Sequence, residues 1–375
     1  MDKIKYPLLI AASFLLAAFL YGNIDIADEA NADWDLHQYI KIAQAAPDLD
    51  PTVKRPFAFR FLAHYVIGLI PLNVHYSYIL INYTAILILL IVLYRFLLSR
   101  EVPRSYAFLA VFMYIFNKHF IGYNMWNPYQ INDILMNLII IWFLYSLANR
   151  RFLGVAGALL VGSFVRETFL ILIPVGFVFL FANDRRTKQI ISFFVIALMA
   201  ASIPYILRLL VPASNGDTLK GAFSVYAIYK LHTIKGVYHY FFNPWIPFSL
   251  IPFICFRETF GFIKDNIHLL FLLLGVYFSG FFGINVERLV HPAFIVFYSL
   301  LALIVMRRFG SRSQFTFLAI AAFLTSFHYI IGRFPLPSRN LTIVISGGTA
   351  VIVTIYVFWN KIKMSKSSVK SFASN

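Results

Sequence analysis

Apolar residues fill this chain in long blocks, with neither the strict alternation of strands nor the two-faced pattern of soluble helices. The blocks lie at about 6–22, 76–98, 104–121, 130–148, 152–164, 168–182, 189–211, 246–257, 267–282, 289–306, 314–332 and 341–359. A helix of about 20 apolar residues crosses a hydrocarbon core of about 30 Å. The pattern therefore predicts an all-α, polytopic integral membrane protein with about 12 transmembrane helices. Two blocks break the rule. Residues 57–72 are apolar but hold Arg60 and His64, which predicts an interfacial or re-entrant helix that does not cross. Residues 152–181 are interrupted by Arg166-Glu167-Thr168. About 30 residues of helix would measure about 45 Å, too long for one crossing and short for two. A broken or hairpin element is expected there, with Arg166 and Glu167 near the outer surface.

Composition agrees with the pattern: 60% of residues are hydrophobic and 13% charged, against about 25% charged in soluble domains. The basic start MDKIK followed by an apolar run has the outline of a signal peptide, but Phe19-Leu20-Tyr21-Gly22 is a poor cleavage site. The run is read as an uncleaved first span. With a single cysteine, Cys255, no intrachain disulfide can form. The blocks imply one domain over 1–360 and a basic, disordered tail at 361–375.

The net charge of +16 would suggest a nucleic-acid partner until the charges are mapped. With the N-terminus inside, the inner segments carry 19 Lys/Arg and 5 Asp/Glu, and the outer ones 13 and 11. That asymmetry is the positive-inside rule. The clusters Arg95/Arg100/Arg104, Arg150/Arg151, Arg185/Arg186/Lys188 and Arg307/Arg308/Arg312 are then topology signals, and no nucleic-acid site is expected. Both termini fall in the cytoplasm, and the loops 23–56 and 212–245 fall outside.

The unusual polar residues gather on that outer side. Loop 23–56 holds seven of the sixteen acidic residues. Asp33 and Asp35 precede the helix-like run Leu36-His-Gln-Tyr-Ile-Lys. Asp35 and Gln38 have the spacing of a capping box, which needs no further function. The same carboxylate could instead take a proton from an attacking hydroxyl or hold a divalent cation. Lys54-Arg55-Pro56 leads to Arg60, which either snorkels to the interface or meets a phosphate with its planar fork. Arg166 and Glu167 are adjacent, so their side chains diverge. They form structural ion pairs or, functionally, bind and orient a phosphate. Glu287-Arg288 repeats that chemistry ahead of another span, with His291-Pro292 in its first turn. Asp133 starts the span at 130–148. The chain has no Walker A loop, no HExxH, no paired CxxC and no GxSxG motif.

These residues give the chain a resemblance to the GT-C superfamily of membrane glycosyltransferases, which use polyprenyl-phosphate-linked sugars. The likeness is to poorly characterised bacterial members of surface-glycopolymer synthesis, and it covers roughly 1–305. Asp35-Leu-His-Gln38-Tyr39 resembles their first-loop motif, and Arg60-Phe-Leu62 their Arg-x-Leu element. Asp133 followed by Arg166-Glu167-Thr168, and then Arg288-Leu-Val-His-Pro292, keep their order. Asp33-Trp-Asp35 departs from the paired acidic residues of many members, and a large soluble C-terminal domain is missing. The resemblance implies a donor sugar on a polyprenyl phosphate in a bacterial or archaeal plasma membrane, and a glycan or protein acceptor on the outer face. It implies Asp35, with Asp33 beside it, as the catalytic carboxylate. Arg55, Arg60, Asp133, Arg166, Glu167, Glu287, Arg288 and His291 would be the substrate-binding residues. A divalent cation is compatible with these residues but not required by their spacing. An O-antigen-type polymerase or ligase, or a carrier for a lipid-linked anion, is the alternative.

The charge asymmetry makes a direct prediction. In a Cys255→Ser background, single cysteines at Asn31 and Asn215 should react with impermeant thiol reagents from outside the cell. One at Ser311 should not, and labelling there would invert the map.

Overall fold

The computed structural model describes residues 2–26, 35–183, 187–214, 231–282, 285–327, 333 and 338–372. The described chain is helical; its extended pairing is an isolated bridge between Lys54 and Ser214. The helices are α1 (Asp2–Tyr21), α2 (Leu36–Ala45), α3 (Leu62–Gly68), α4 (Val74–Ser99), α5 (Arg104–Ile115), α6 (Tyr123–Trp126), α7 (Ile131–Ala148), α8 (Phe152–Val165) and α9 (Leu172–Asn183). They continue as α10 (Thr187–Leu210), α11 (Ile234–Phe241), α12 (Phe256–Asp265), α13 (Ile267–Ser279), α14 (Val286–Leu289), α15 (Phe294–Arg308), α16 (Arg312–Ser326) and α17 (Arg339–Phe372).

Among the described residues six stretches are long and apolar enough to cross a membrane: Ile4–Tyr21, Val74–Ser99, Pro128–Ala148, Thr187–Leu210, His291–Arg308 and Asn340–Ile362. A seventh is possible if α12 and the segment Ile267–Phe282, bent by 103° at their junction, count as one broken span. The other blocks expected to cross form shorter helices. Arg104–Ile115 has 12 residues, Phe152–Val165 has 14 and Arg312–Ser326 has 15. The run at 246–257 is divided by prolines into single turns. Apolar length alone thus overstates helix length wherever proline, glycine or a buried charge interrupts the backbone. The tail, expected to be disordered, continues α17 to Phe372.

Leu198, Leu209, Val351 and Ile355 on α10 and α17 are exposed, as lipid-facing residues are. The buried side is one large apolar cluster built from α1, α4, α5, α7, α8, α15 and α16. Between helices in lipid, close packing does the holding that water exclusion does elsewhere, and small residues permit it. On α8, Gly154 and Gly157 lie under Ser146 and Trp142 of α7 so closely that a Cβ would overlap them.

A second, smaller cluster positions the first loop. Leu36, Tyr39 and Ile42 of α2 pack with Val53, Phe59, Ile67, Tyr78 and Tyr129. The segment 57–72 folds as the single turn Phe57–Arg60 and the seven-residue α3, too short to cross a membrane. Gly68 allows this arrangement, because a Cβ there would lie 2.0 Å from the Ala43 carbonyl oxygen of α2. Backbone cannot yield as a side-chain tip can. Gly68→Ala should therefore cost about 1–3 kcal/mol of stability, read as a lower thermal midpoint in detergent. Gly261→Ala in α12, with open space around it, should be neutral or slightly stabilising through helix propensity.

Candidate functional site

Four helix ends converge on one polar cluster. Asp133 sits in the first turn of α7, 5% exposed. Arg166 occupies the break after α8, in extended backbone, so the interruption expected in 152–181 is real. Its guanidinium donates to Asp133 Oδ1. Arg288 comes from α14 and approaches the other oxygen of Asp133, with Nε 3.2 Å from Oδ2. That contact is an ion pair by distance but not a hydrogen bond: the N–H is not aimed at the oxygen, and both atoms are enclosed without another partner. Arg288 Nη2 also lies 3.6 Å from Asp35 Oδ2. Arg60 completes the group, its Nε and Nη2 both 2.9 Å from Glu167 Oε2. The adjacent Arg166 and Glu167 do diverge, each to a different partner.

Three arginines therefore face Asp35, Asp133 and Glu167 in a formally neutral set. Burial works against the charge on Arg60 and Arg288, but Glu167 beside the first and Asp133 and Asp35 beside the second outweigh it and raise both pKa values. The guanidiniums stay protonated. Each carries five N–H donors, and the ion pairs use only some of them. The carboxylates differ sharply in freedom. Asp133 is 95% enclosed between two arginines, whereas the Asp35 side chain is 36% exposed with a single long contact. The capping reading of Asp35 fails, because its side chain makes no cap hydrogen bond. Gln38 accepts from Lys54 N instead.

Other predicted residues stand apart. Asp33 lies outside the described residues. Arg55 is exposed, and no ion pair joins it to the cluster among the described residues. His291 is fully buried, stacked on Phe120 at 4.5 Å with Tyr114 Oη 2.5 Å from Nε2. Glu287 turns away from Arg288: Asn243 Nδ2 donates to its Oε1 at 2.9 Å, and His239 Nδ1 lies 3.3 Å from the same atom.

Sequence reasoning missed the supporting shell. The Tyr39 hydroxyl reaches Arg60, and the Tyr123 hydroxyl reaches Arg288. A relay braces them from behind. Asn132 Nδ2 meets His64 Nε2 at 2.9 Å, His64 Nδ1 meets Tyr78 Oη at 2.8 Å, and Tyr78 donates to the Tyr39 carbonyl at 2.9 Å. Because Tyr78 and Asn132 both use their hydrogens as donors, His64 is the neutral tautomer protonated at Nδ1. Burial, then the nearby Arg60, lower its pKa to about 3, consistent with that form. The signal available was the polar run from Asn124 to Asp133 at the head of an apolar block. Among the described residues no group of three His, Cys, Asp or Glu side chains comes together to hold a metal.

An apolar groove of about 810 Å³ begins beside the cluster. Its lining includes Leu62 and Ala63, Ile131 and Val165, next to Arg60, Asp133 and Arg166 in the chain. Its far end reaches Arg95 and Ser99. From Ile81 to Ser99 on α4 the groove follows about 27 Å of helix, close to a hydrocarbon thickness of about 30 Å. No family model, curated protein or solved structure matches the chain.

The Glu287 anchor has a pH consequence. Burial tends to raise its carboxyl pKa, but the hydrogen bond with His239, the nearby His119 and Asn243 bring it to about 2, from an ordinary 4.5. A depressed carboxyl contributes stability above its ordinary pKa and loses it as pH falls. The thermal midpoint in detergent should therefore drop between about pH 4.5 and 2, and Glu287→Gln should flatten that drop.

Proposed function

We propose that this chain is a membrane glycosyltransferase of GT-C-like plan. It moves a sugar from a polyprenyl phosphate carrier to an acceptor on the outer face of the plasma membrane, in cell-surface glycan synthesis. One observation carries the reading: three arginines gathered with carboxylates stand next in the chain to residues that line an apolar groove, and the groove follows about 27 Å of helix, close to the thickness of a hydrocarbon core. An amphiphile with a phosphate head and a long hydrocarbon tail has that shape and chemistry.

The reaction is displacement at the anomeric carbon. The acceptor oxygen forms a bond to C1 as the C1–O bond to phosphate breaks, and the phosphate leaves with the electron pair. Asp35, the most accessible carboxylate of the cluster, takes the acceptor proton. Arg60, Arg166 and Arg288 stabilise the charge that grows on the departing phosphate, and their positions are fixed before the reaction begins. Asp133 acts as the spacer that holds Arg166 and Arg288 apart. A divalent cation at Asp35 remains compatible with this scheme.

The test is sugar transfer by the purified protein in nanodiscs, using a panel of polyprenyl-phosphate sugars and membrane glycan acceptors. Asp35→Asn should reduce turnover about 10²-fold, the usual scale for a lost general base, with little change in thermal midpoint. Asp33→Asn serves as the neighbouring control. Arg166→Lys keeps the charge but loses the planar fork, and should lower activity at least about tenfold. Full activity in Asp35→Asn and Arg166→Lys would sink the assignment. Movement of the lipid carrier across proteoliposomes without any transfer would favour a carrier for a lipid-linked anion.

A further inference from the structure

Beside Glu287 lies a second polar group that the transfer chemistry does not use. Lys118 opens the π-turn Lys118–Gly122. Such turns are frequent at functional sites, and this one is pinned. Asn117 Oδ1 accepts from the backbone N–H of His119 at 3.0 Å and of Phe120 at 3.1 Å. Asn117 Nδ2 donates to the Pro244 carbonyl at 2.8 Å and to Tyr298 Oη at 3.1 Å. The Lys118 side chain is thus held on rigid backbone, and the residue is 7% exposed.

Lys118 makes no hydrogen bond or ion pair with any described residue. Glu287 acts on it electrostatically but lies beyond ion-pair distance, with Oε1 already engaged by Asn243 and His239. An ammonium on so enclosed a residue is costly without a counter-ion, and no described residue takes any of its three N–H donors. In the arginine cluster every guanidinium has a carboxylate; Lys118 has none. α14 separates the two groups, turning Arg288 toward Asp35 and Asp133 and Glu287 toward His239 and Asn243.

We propose that Lys118, with Glu287 near it and Asn243 bonded to Glu287, is an oxyanion subsite for the acceptor. The acceptor carries a phosphate or carboxylate group that Lys118 binds, while Glu287 and Asn243 receive hydroxyls of the same sugar. Assigning the anion to the acceptor rests on the transfer reaction proposed above; the anion site itself does not.

The test is reductive methylation of the protein in nanodiscs, quantified at each lysine by mass spectrometry. Sodium phosphate and sodium acetate are compared with sodium chloride at equal ionic strength. Either anion should slow methylation of Lys118 about fivefold at four times its dissociation constant, leaving exposed Lys188 and Lys264 unchanged. Stronger protection by phosphate identifies a phosphate-bearing acceptor, and by acetate a carboxylate-bearing one. Absence of protection by both overturns the subsite. In Arg288→Lys the protection should persist; its loss there would merge Lys118 with the donor site and overturn the proposal equally. If Lys118 resists the reagent in chloride, thermal stabilisation by phosphate decides: it should be smaller in Lys118→Met than in the wild type, and equality overturns the subsite. Binding of geranyl phosphate examines the donor site independently. It should survive Lys118→Met and weaken in Arg166→Lys, and its absence from the wild type would remove the donor reading while leaving the Lys118 result standing.

Discussion

The site depends on one carboxylate. Asp133 receives Arg166 on one oxygen and Arg288 on the other, and so joins the start of α7, the break after α8 and the short α14. Without it, two guanidiniums would face each other in an enclosed, weakly screened space. Arg166 would carry a desolvation penalty of several kcal/mol with no carboxylate to offset it, and Arg288 would keep only its long contact to the half-open Asp35. The extended backbone at Arg166 makes sense in this light. A continuous helix through 152–181 would put successive side chains about a quarter-turn apart and offer only one of them to the cluster. The break lets Arg166 reach Asp133 while Glu167 reaches Arg60.

Around that bridge, the fold solves a positioning problem with two kinds of packing. The main helices meet through close contact and small residues, as on α8 against α7. The first loop is held by a separate cluster of aromatics, with α2 crossing α3 at Gly68. That second cluster brings Asp35 and Arg60, which come from a loop and a single turn, to residues fixed at helix ends. The neutral His64 relay adds direction. It ties Asn132, the neighbour of Asp133, to the backbone of Tyr39, whose hydroxyl reaches Arg60.

Much of this was legible in the sequence, and the reasons differ by element. The long spans were visible because uninterrupted apolar runs of about 20 residues have few other uses. The shorter helices were not, since hydropathy cannot see where the backbone breaks. Arg60, Asp133, Arg166 and Arg288 stood out because a charge beside an apolar run needs a partner, and the structure supplies those partners from one another. Pairing was not legible: Glu287 and Arg288 are adjacent, yet only Arg288 joins the cluster. Asp35 read equally well as a helix cap, and only its geometry separates the two. Tyr39 was legible only as part of the first-loop motif and not as a neighbour of Arg60, Tyr123 was hidden among 22 tyrosines, and Lys118 lay at the end of a run taken for a span.

The neutrality of the cluster bears on how it can act. A group of unpaired arginines would hold any phosphate tightly, product included, and would be costly to enclose. Guanidiniums already paired with carboxylates hold an incoming anion more weakly in the ground state. Because the pairs hold the guanidiniums in place beforehand, their effect on the proposed reaction is greatest where negative charge is growing. The same pairing grades the carboxylates. Asp133, shared by two cations and enclosed, is out of reach of an incoming acceptor. Asp35, half-open with one contact at 3.6 Å, keeps its lone pairs available. On the proposed reaction, the arrangement that makes three buried arginines tolerable is therefore also the one that selects which carboxylate does the chemistry.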